Sequence, residues 1–200
     1  MFKNILTEST IVIFDLEYTS WEGSAERNWN LPNENREIIQ IGATKIKITE
    51  DINEIDNFEI LVRPTKHPKL SNYFINLTGI SQERVDMEGV LFPLALKHFL
   101  QFLGDNAINI LSNGGDEEII EENCTLYGIS FPIIFNDSID LKPYFSEILG
   151  IPERDCTSSM LPELFGLKNL ENPHNALGDA RAISQILSYL YKKKNIPMGN

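Results

Sequence analysis

The chain has 200 residues, 42% hydrophobic and 23% charged, with a formal net charge of −12; this allows a sizeable core in an ordinary globular balance. Such acidity argues against broad nonspecific binding to nucleic acid, which relies on basic surface, although a protein gripping only a chain end needs few phosphate contacts. No apolar run approaches the ~20 residues of a membrane span, and two cysteines are too few for a disulfide framework or a zinc site.

The opening Met1–Glu8 lacks the apolar core of a signal peptide and carries an acid. The expectation is a cytoplasmic protein with no membrane partner, in which Cys124 and Cys156 stay reduced. One domain over 1–200 is expected, with its core at about 10–190 and neither an internal repeat nor a low-complexity linker.

The first predicted strand, 10–17, contains Ile11-Val12-Ile13-Phe14-Asp15-Leu16-Glu17. Strand side chains alternate in direction, so Asp15 and Glu17 project from one face. At ~4 Å and an effective dielectric of ~20, two carboxylates repel by roughly 4 kcal/mol before any desolvation. A cation removes that penalty, and hard oxygen ligands suit magnesium or manganese. The pair is therefore a metal-site candidate.

Thr19–Asn35 follows at once, a polar, turn-rich segment with both tryptophans, Trp21 and Trp29. A connection this long is usually functional or disordered. The tryptophans either fold the segment back onto the body or offer a stacking platform for a base.

Strands are next predicted at 38–48 and 57–63; the three run almost consecutively, with turns such as Thr49-Glu50-Asp51-Ile52-Asn53, which suggests an antiparallel meander. Lys45, Lys47, Arg63, Lys66 and Lys69 read as either a local basic edge or a solvated surface. Beyond them, helical patterns at 93–103, 116–127, 141–148, 158–165 and about 176–193 alternate with short apolar strands at 107–112 and 133–136. That alternation marks parallel pairing through crossovers. Pro93 suits a helix start, and Gly104 and Gly128 suit helix stops. The fold class is α/β, a mixed five-stranded sheet flanked by helices.

Asp116 lies after an apolar strand, in Leu111-Ser112-Asn113-Gly114-Gly115-Asp116. An acid there can be a helix cap, as can Ser112 or Asn113. The end of a parallel strand is also where open α/β sheets bind ligands. His174 and Asp179 fall in Pro173-His174-Asn175-Ala176-Leu177-Gly178-Asp179. Inside one helix they would point about 140° apart. They converge only if His174 precedes the helix, with Asn175 as N-cap and Asp179 in the first turns. Lys192-Lys193-Lys194 at that helix's C-terminus is explained by the macrodipole.

Taken together, these residues resemble the DEDDh branch of the DnaQ-like 3′–5′ exonucleases, in its Eri-1/KapD-like subgroup. The first motif is Phe14-Asp15-Leu16-Glu17-Tyr18-Thr19, and Glu37-Ile38-Ile39-Gln40-Ile41-Gly42-Ala43 follows the family's second strand closely. Leu70-Ser71-Asn72-Tyr73-Phe74-Ile75-Asn76-Leu77-Thr78-Gly79-Ile80 is similar to its linker before the first helices. Gly115-Asp116 with Cys124 matches the second motif, and His174 with Asp179 matches the third, H-x4-D. The resemblance spans about residues 10–190. Tyr18 stands where the family often has Thr, and Thr19–Asn35 is longer than the family minimum.

The resemblance implies a ribonuclease H-like fold whose first three strands are antiparallel and the rest parallel. It implies that Asp15, Glu17, Asp116 and Asp179 hold two Mg2+ or Mn2+ ions about 4 Å apart, with His174 as the base that accepts a proton from water. The implied activity is removal of 5′-mononucleotides from the 3′ end of single-stranded RNA or DNA, RNA being favoured. Tyr18, Trp21 and Trp29 are the candidate substrate contacts. An internally cutting nuclease of the ribonuclease H-like type and a noncatalytic nucleic-acid-binding or regulatory module are the rival readings.

Overall fold

β1 (Thr10–Tyr18) lies at the centre of a five-stranded sheet and is hydrogen-bonded along both edges. In the computed structural model, which describes residues 10–104, 109–168 and 174–193, β2 (Ile38–Ile48) and β3 (Ile52–Leu61) extend the sheet on one side. β4 (Asn109–Ser112) and β5 (Ile139–Asp140) extend it on the other, in the order β3-β2-β1-β4-β5. β1–β2 and β2–β3 pair antiparallel, and β1–β4 and β4–β5 pair parallel. This is the mixed sheet expected from the sequence.

The helices are α1 (Asn72–Thr78), α2 (Gln82–Glu88), α3 (Phe92–Leu103), α4 (Asp116–Tyr127), α5 (Lys142–Leu149), α6 (Leu161–Leu164) and α7 (Ala176–Lys192). The alternation along β1 divides the core in two. Ile11 and Ile13 face Ile183, Ile186 and Leu190 of α7, together with Phe145 of α5. Val12, Phe14 and Leu16 face Ala95, Phe99 and Leu103 of α3 and Ile119 and Ile120 of α4. Both faces of the sheet are covered, so β1 is apolar on both sides until Asp15.

Several expected boundaries are corrected. The last strand is not 133–136: Ile133–Asp137 is a 3₁₀ turn with Phe135 buried and Ile133 81% exposed. The short apolar run 133–135 carries too few residues to separate a period of two from a period of three, and the pairing strand follows it at Ile139–Asp140. β3 begins at Ile52 rather than 57, because its polar first half pairs with β2 as an exposed edge. The helix expected at 158–165 is the single turn α6, and α1 and α2 were not expected as elements of their own. Of the strand predicted at 107–112, residues 107 and 108 lie outside the described residues, as does Lys194. Among the described residues no helix is long and apolar enough to cross a membrane.

Candidate active site

The face of β1 that begins with Ile11 and Ile13 continues as Asp15 and Glu17. Asp15 pairs with Gly42 and Glu17 with Gln40 on β2, and directly opposed residues of neighbouring strands share a face. Gly42 and Gln40 explain how a helix reaches that face. A Cβ at Gly42 would stand 2.0 Å from the Leu177 amide nitrogen, so α7 begins directly on the strand backbone. The buried Gln40 side chain accepts from the Ala176 amide (3.0 Å) and from Asn175 Nδ2 (3.3 Å), and donates to Glu59 (2.7 Å). Asn175 caps the helix by accepting from the Gly178 amide at 3.0 Å, as its position suggested. Asp179 then emerges from the first turn beside the β1 acids.

One carboxylate oxygen from each of Asp15, Glu17 and Asp179 lies within 4.8 Å of the others. Asp116 and the His174 imidazole are not part of this close group. Asp116 is the first residue of α4; the cap is Gly115, in the left-handed region at φ 78°, with no side-chain cap hydrogen bond. The cap reading of Asp116, Ser112 or Asn113 is therefore set aside. Ser112 donates to Glu117 (3.1 Å), Asn113 donates to the Cys156 carbonyl (3.0 Å), and Asp116 Oδ2 is buried without a hydrogen-bond partner. A buried carboxylate oxygen with no donor is costly unless something positive meets it.

Electrostatics ties Asp116 to the two acids of β1. Burial, followed by Asp116, Asp179 and Glu17, raises the Asp15 carboxyl well above the usual range, while a hydrogen bond from Ser158 lowers it. Burial, then Asp179 and Asp116, raises Glu17 to about 8. Burial and then Glu117 raise Asp116 to about 7 against the pull of Lys142. Burial raises Asp179 to about 7, although the His174 backbone amide donates to its carboxylate. The donor set is all hard oxygen and strongly repulsive, and it fits Mg2+ or Mn2+.

His174 precedes α7 in the left-handed region, at φ 61°. This is the non-helical placement required if His174 and Asp179 are to face the same site. Partial burial lowers its imidazole below the usual value, favouring the neutral form.

Tyr18 follows a register shift between Glu17 and Tyr18, a bulge beside the acids. Its ring packs against Trp29 at 5.4 Å, and Trp29 Nε1 donates to the Thr19 carbonyl at 3.0 Å. Arg36 lies over the Trp29 ring at 5.8 Å and pairs with Glu122. Trp21 meets the His67 ring edge-on at 4.9 Å. Both tryptophans are half-buried and help fold the connection back. Beyond Trp29 opens a cleft of about 680 Å³, lined also by Asn28, Asn30, Asn35 and Arg36. Lys45 donates to the Phe102 carbonyl and Arg63 to the Asp86 carbonyl, so each cationic head is anchored to the backbone of a neighbouring element.

Several positioning residues escaped the sequence reading. Gln40 and Gly42 break an apolar strand, and that interruption was a usable signal. Glu37 was less accessible: its buried carboxylate accepts from the amides of Thr65 (2.7 Å), Lys66 (2.9 Å) and His67 (2.6 Å), tying the root of the tryptophan segment to a distant loop.

Comparison with known proteins agrees with this geometry. The family model described as Exonuclease (RNase_T) matches residues 12–187. The 3′-5′ exoribonuclease 1 of Rattus norvegicus is 26% identical over 184 residues, covering 88% of this chain and 51% of that relative. The chain thus spans about half the length of such curated relatives. The probable 3′-5′ exonuclease KapD of Bacillus subtilis is 27% identical over 203 residues, covering 97% of this chain and 94% of KapD. The solved nuclease domain of 3′hExo, a DEDDh family member bound to rAMP, superposes with a TM-score of 0.80 at 25% identity over 93% of each chain. With the fold, the acid cluster and a family match over nearly its whole length in agreement, the chain belongs to the exonuclease (RNase_T) family.

Proposed function

We propose that the chain is a metal-dependent 3′–5′ exonuclease, folded as one domain, that releases 5′-mononucleotides from single-stranded nucleic acid, with RNA favoured over DNA. The observation that carries this reading is the approach of Asp15, Glu17 and Asp179 to within 4.8 Å at the end of the central strand, together with Asp116, whose charge raises Asp15 and Glu17 and whose Oδ2 is buried without a hydrogen-bond partner. Those four carboxylates would hold two Mg2+ or Mn2+ ions. When bound, such ions make water easier to ionise and neutralise charge developing on a scissile phosphate. The close acid group and the fixed start of α7 orient the reacting end. The imidazole of His174 takes the proton from the attacking water, and its lowered pKa keeps it in the accepting form at neutral pH.

The preference for RNA is supported by the exoribonuclease name of the rat relative and by the rAMP in the solved nuclease domain. Recognition restricted to the terminal nucleotides reconciles the activity with a net charge of −12. Tyr18 and Trp29 would support a terminal or upstream base by stacking, and Trp21 would wall the same side. A parallel digest of labelled single-stranded RNA and DNA in Mg2+ tests this reading. It predicts 5′-mononucleotide products, faster from RNA, and none in excess EDTA. Equal activity with EDTA would overturn it. His174→Ala should lower the rate about 100-fold while calorimetry shows Mg2+ binding retained. Lost binding instead would make His174 a ligand.

A further inference from the structure

Asp15 is held by a chain of hydrogen bonds that starts in the turn carrying Asp116. Asn113 Nδ2 donates to the Cys156 carbonyl at 3.0 Å and to Ser158 Oγ at 3.0 Å, and Ser158 Oγ donates to Asp15 Oδ1 at 3.3 Å. The direction of the chain is fixed by chemistry. A backbone carbonyl only accepts, so the Asn113 amide must present its nitrogen to Cys156 and hence to Ser158. The single Ser158 proton is then left for the Asp15 carboxylate. Asn113 and Ser158 are both buried, and this orientation leaves Asn113 Oδ1 without a partner. An amide kept at that cost serves a geometric purpose.

We propose that Ser158, oriented by Asn113, is a positioning residue that sets the Asp15 carboxylate for divalent-metal binding. The proposal rests on the nuclease reading above. Three chain segments meet at this relay: the end of β1, the β4–α4 turn with Asp116, and the turn ahead of α6. Asn113 lies in the Asp116 turn, so one relay links the segments that carry the two acids, in addition to the sheet and the core packing of β1 on α4. The hydroxyl takes one acceptor position on Asp15 Oδ1, and the carboxylate keeps further lone pairs for a cation. Carboxylates that ligate metals commonly need such an outer hydrogen bond to hold their orientation, and its loss typically weakens metal affinity 10–100-fold. Both residues sit outside the acid and histidine motifs, and no charge or spacing in the sequence marks them.

The test is Mg2+ titration by calorimetry, with Mn2+ in parallel, on the full chain and on Ser158→Ala, Ser158→Thr and Asn113→Ala, each followed by mononucleotide release as a function of Mg2+. Ser158→Ala should weaken Mg2+ binding about 10-fold, move the activity curve to higher Mg2+ by the same factor, and recover most of the rate at saturation. Ser158→Thr, which keeps the hydroxyl, should restore affinity. Asn113→Ala should follow Ser158→Ala. Should Ser158→Ala fail to fold, Ser158→Cys, a weak donor of similar size, carries the same expectation. Unchanged Mg2+ affinity and metal dependence in the folded variant would overturn the proposal. Wild-type protein that binds neither ion and cleaves nothing would overturn the nuclease reading itself, and the relay's role with it.

Discussion

Asp15 and Glu17 stand on a strand paired along both edges, opposite a glycine and a glutamine that seat α7 against them. Trp21 and Trp29, in the connection that follows, are held by ring contacts, an indole hydrogen bond and the nearby Arg27–Glu34 ion pair. The first region is rigid because its neighbours are backbone and core. The second presents half-exposed aromatic faces next to an open cleft. The difference separates chemistry from choice: groups that must be placed within tenths of an ångström lie on strand and helix, and groups that meet a variable base lie on a loop.

That contrast can be broken at several points. Asp15→Ala or Asp179→Asn should lower Mg2+-dependent nucleotide release by about 1000-fold or more, since metal-held charge stabilisation contributes several kcal/mol, while circular dichroism shows the fold retained. Wild-type rates in either variant would remove the acids from the chemistry. Gly42→Ala forces a Cβ into the Leu177 backbone and should cost about 1–3 kcal/mol of stability, measured by urea unfolding, with activity falling as the start of α7 is displaced. An unaffected enzyme would mean that α7 does not need its seat on β2.

The pH dependence of stability sharpens the same point. Burial above all raises Glu17 to about 8 and Asp116 and Asp179 to about 7, against unfolded values near ~4. Folded, metal-free protein therefore binds more protons than the unfolded chain in this window, so its stability falls as pH rises from about 4 to about 8. Mg2+ competes with those protons and should stabilise more at pH 8 than at pH 5. At 100 times its Kd it adds about 2.7 kcal/mol, roughly 5–10 °C in Tm for a chain of this size. A metal-free Tm that rises through this pH range would contradict the crowding of the acids. The smallest effect belongs to the loop: Trp29→Ala should raise KM about fivefold, one weak stacking contact, with kcat and Tm nearly unchanged. If kcat fell instead, Trp29 would belong with the rigid region.

The same division governs what could be read from sequence. Asp15 and Glu17 were visible because alternation in an apolar strand makes two acids conspicuous, and the cap geometry at Asn175 followed from the angle between His174 and Asp179. β5 was misplaced because Ile133-Ile134-Phe135 has no resolvable period, and the polar first half of β3 hid a strand that only its pairing with β2 reveals. Glu37, Asn113 and Ser158 act through partners dozens of residues away. Such contacts arise from the fold and leave no local pattern.

The most direct test uses one RNA sequence in three forms, linear with a free 3′ hydroxyl, linear with a 3′-phosphate block, and circular, each digested with and without Mg2+. The exonuclease reading predicts stepwise shortening of the free-ended strand in Mg2+ alone, with the blocked and circular forms intact. Cutting of the circle, or shortening of any form in EDTA, would contradict it.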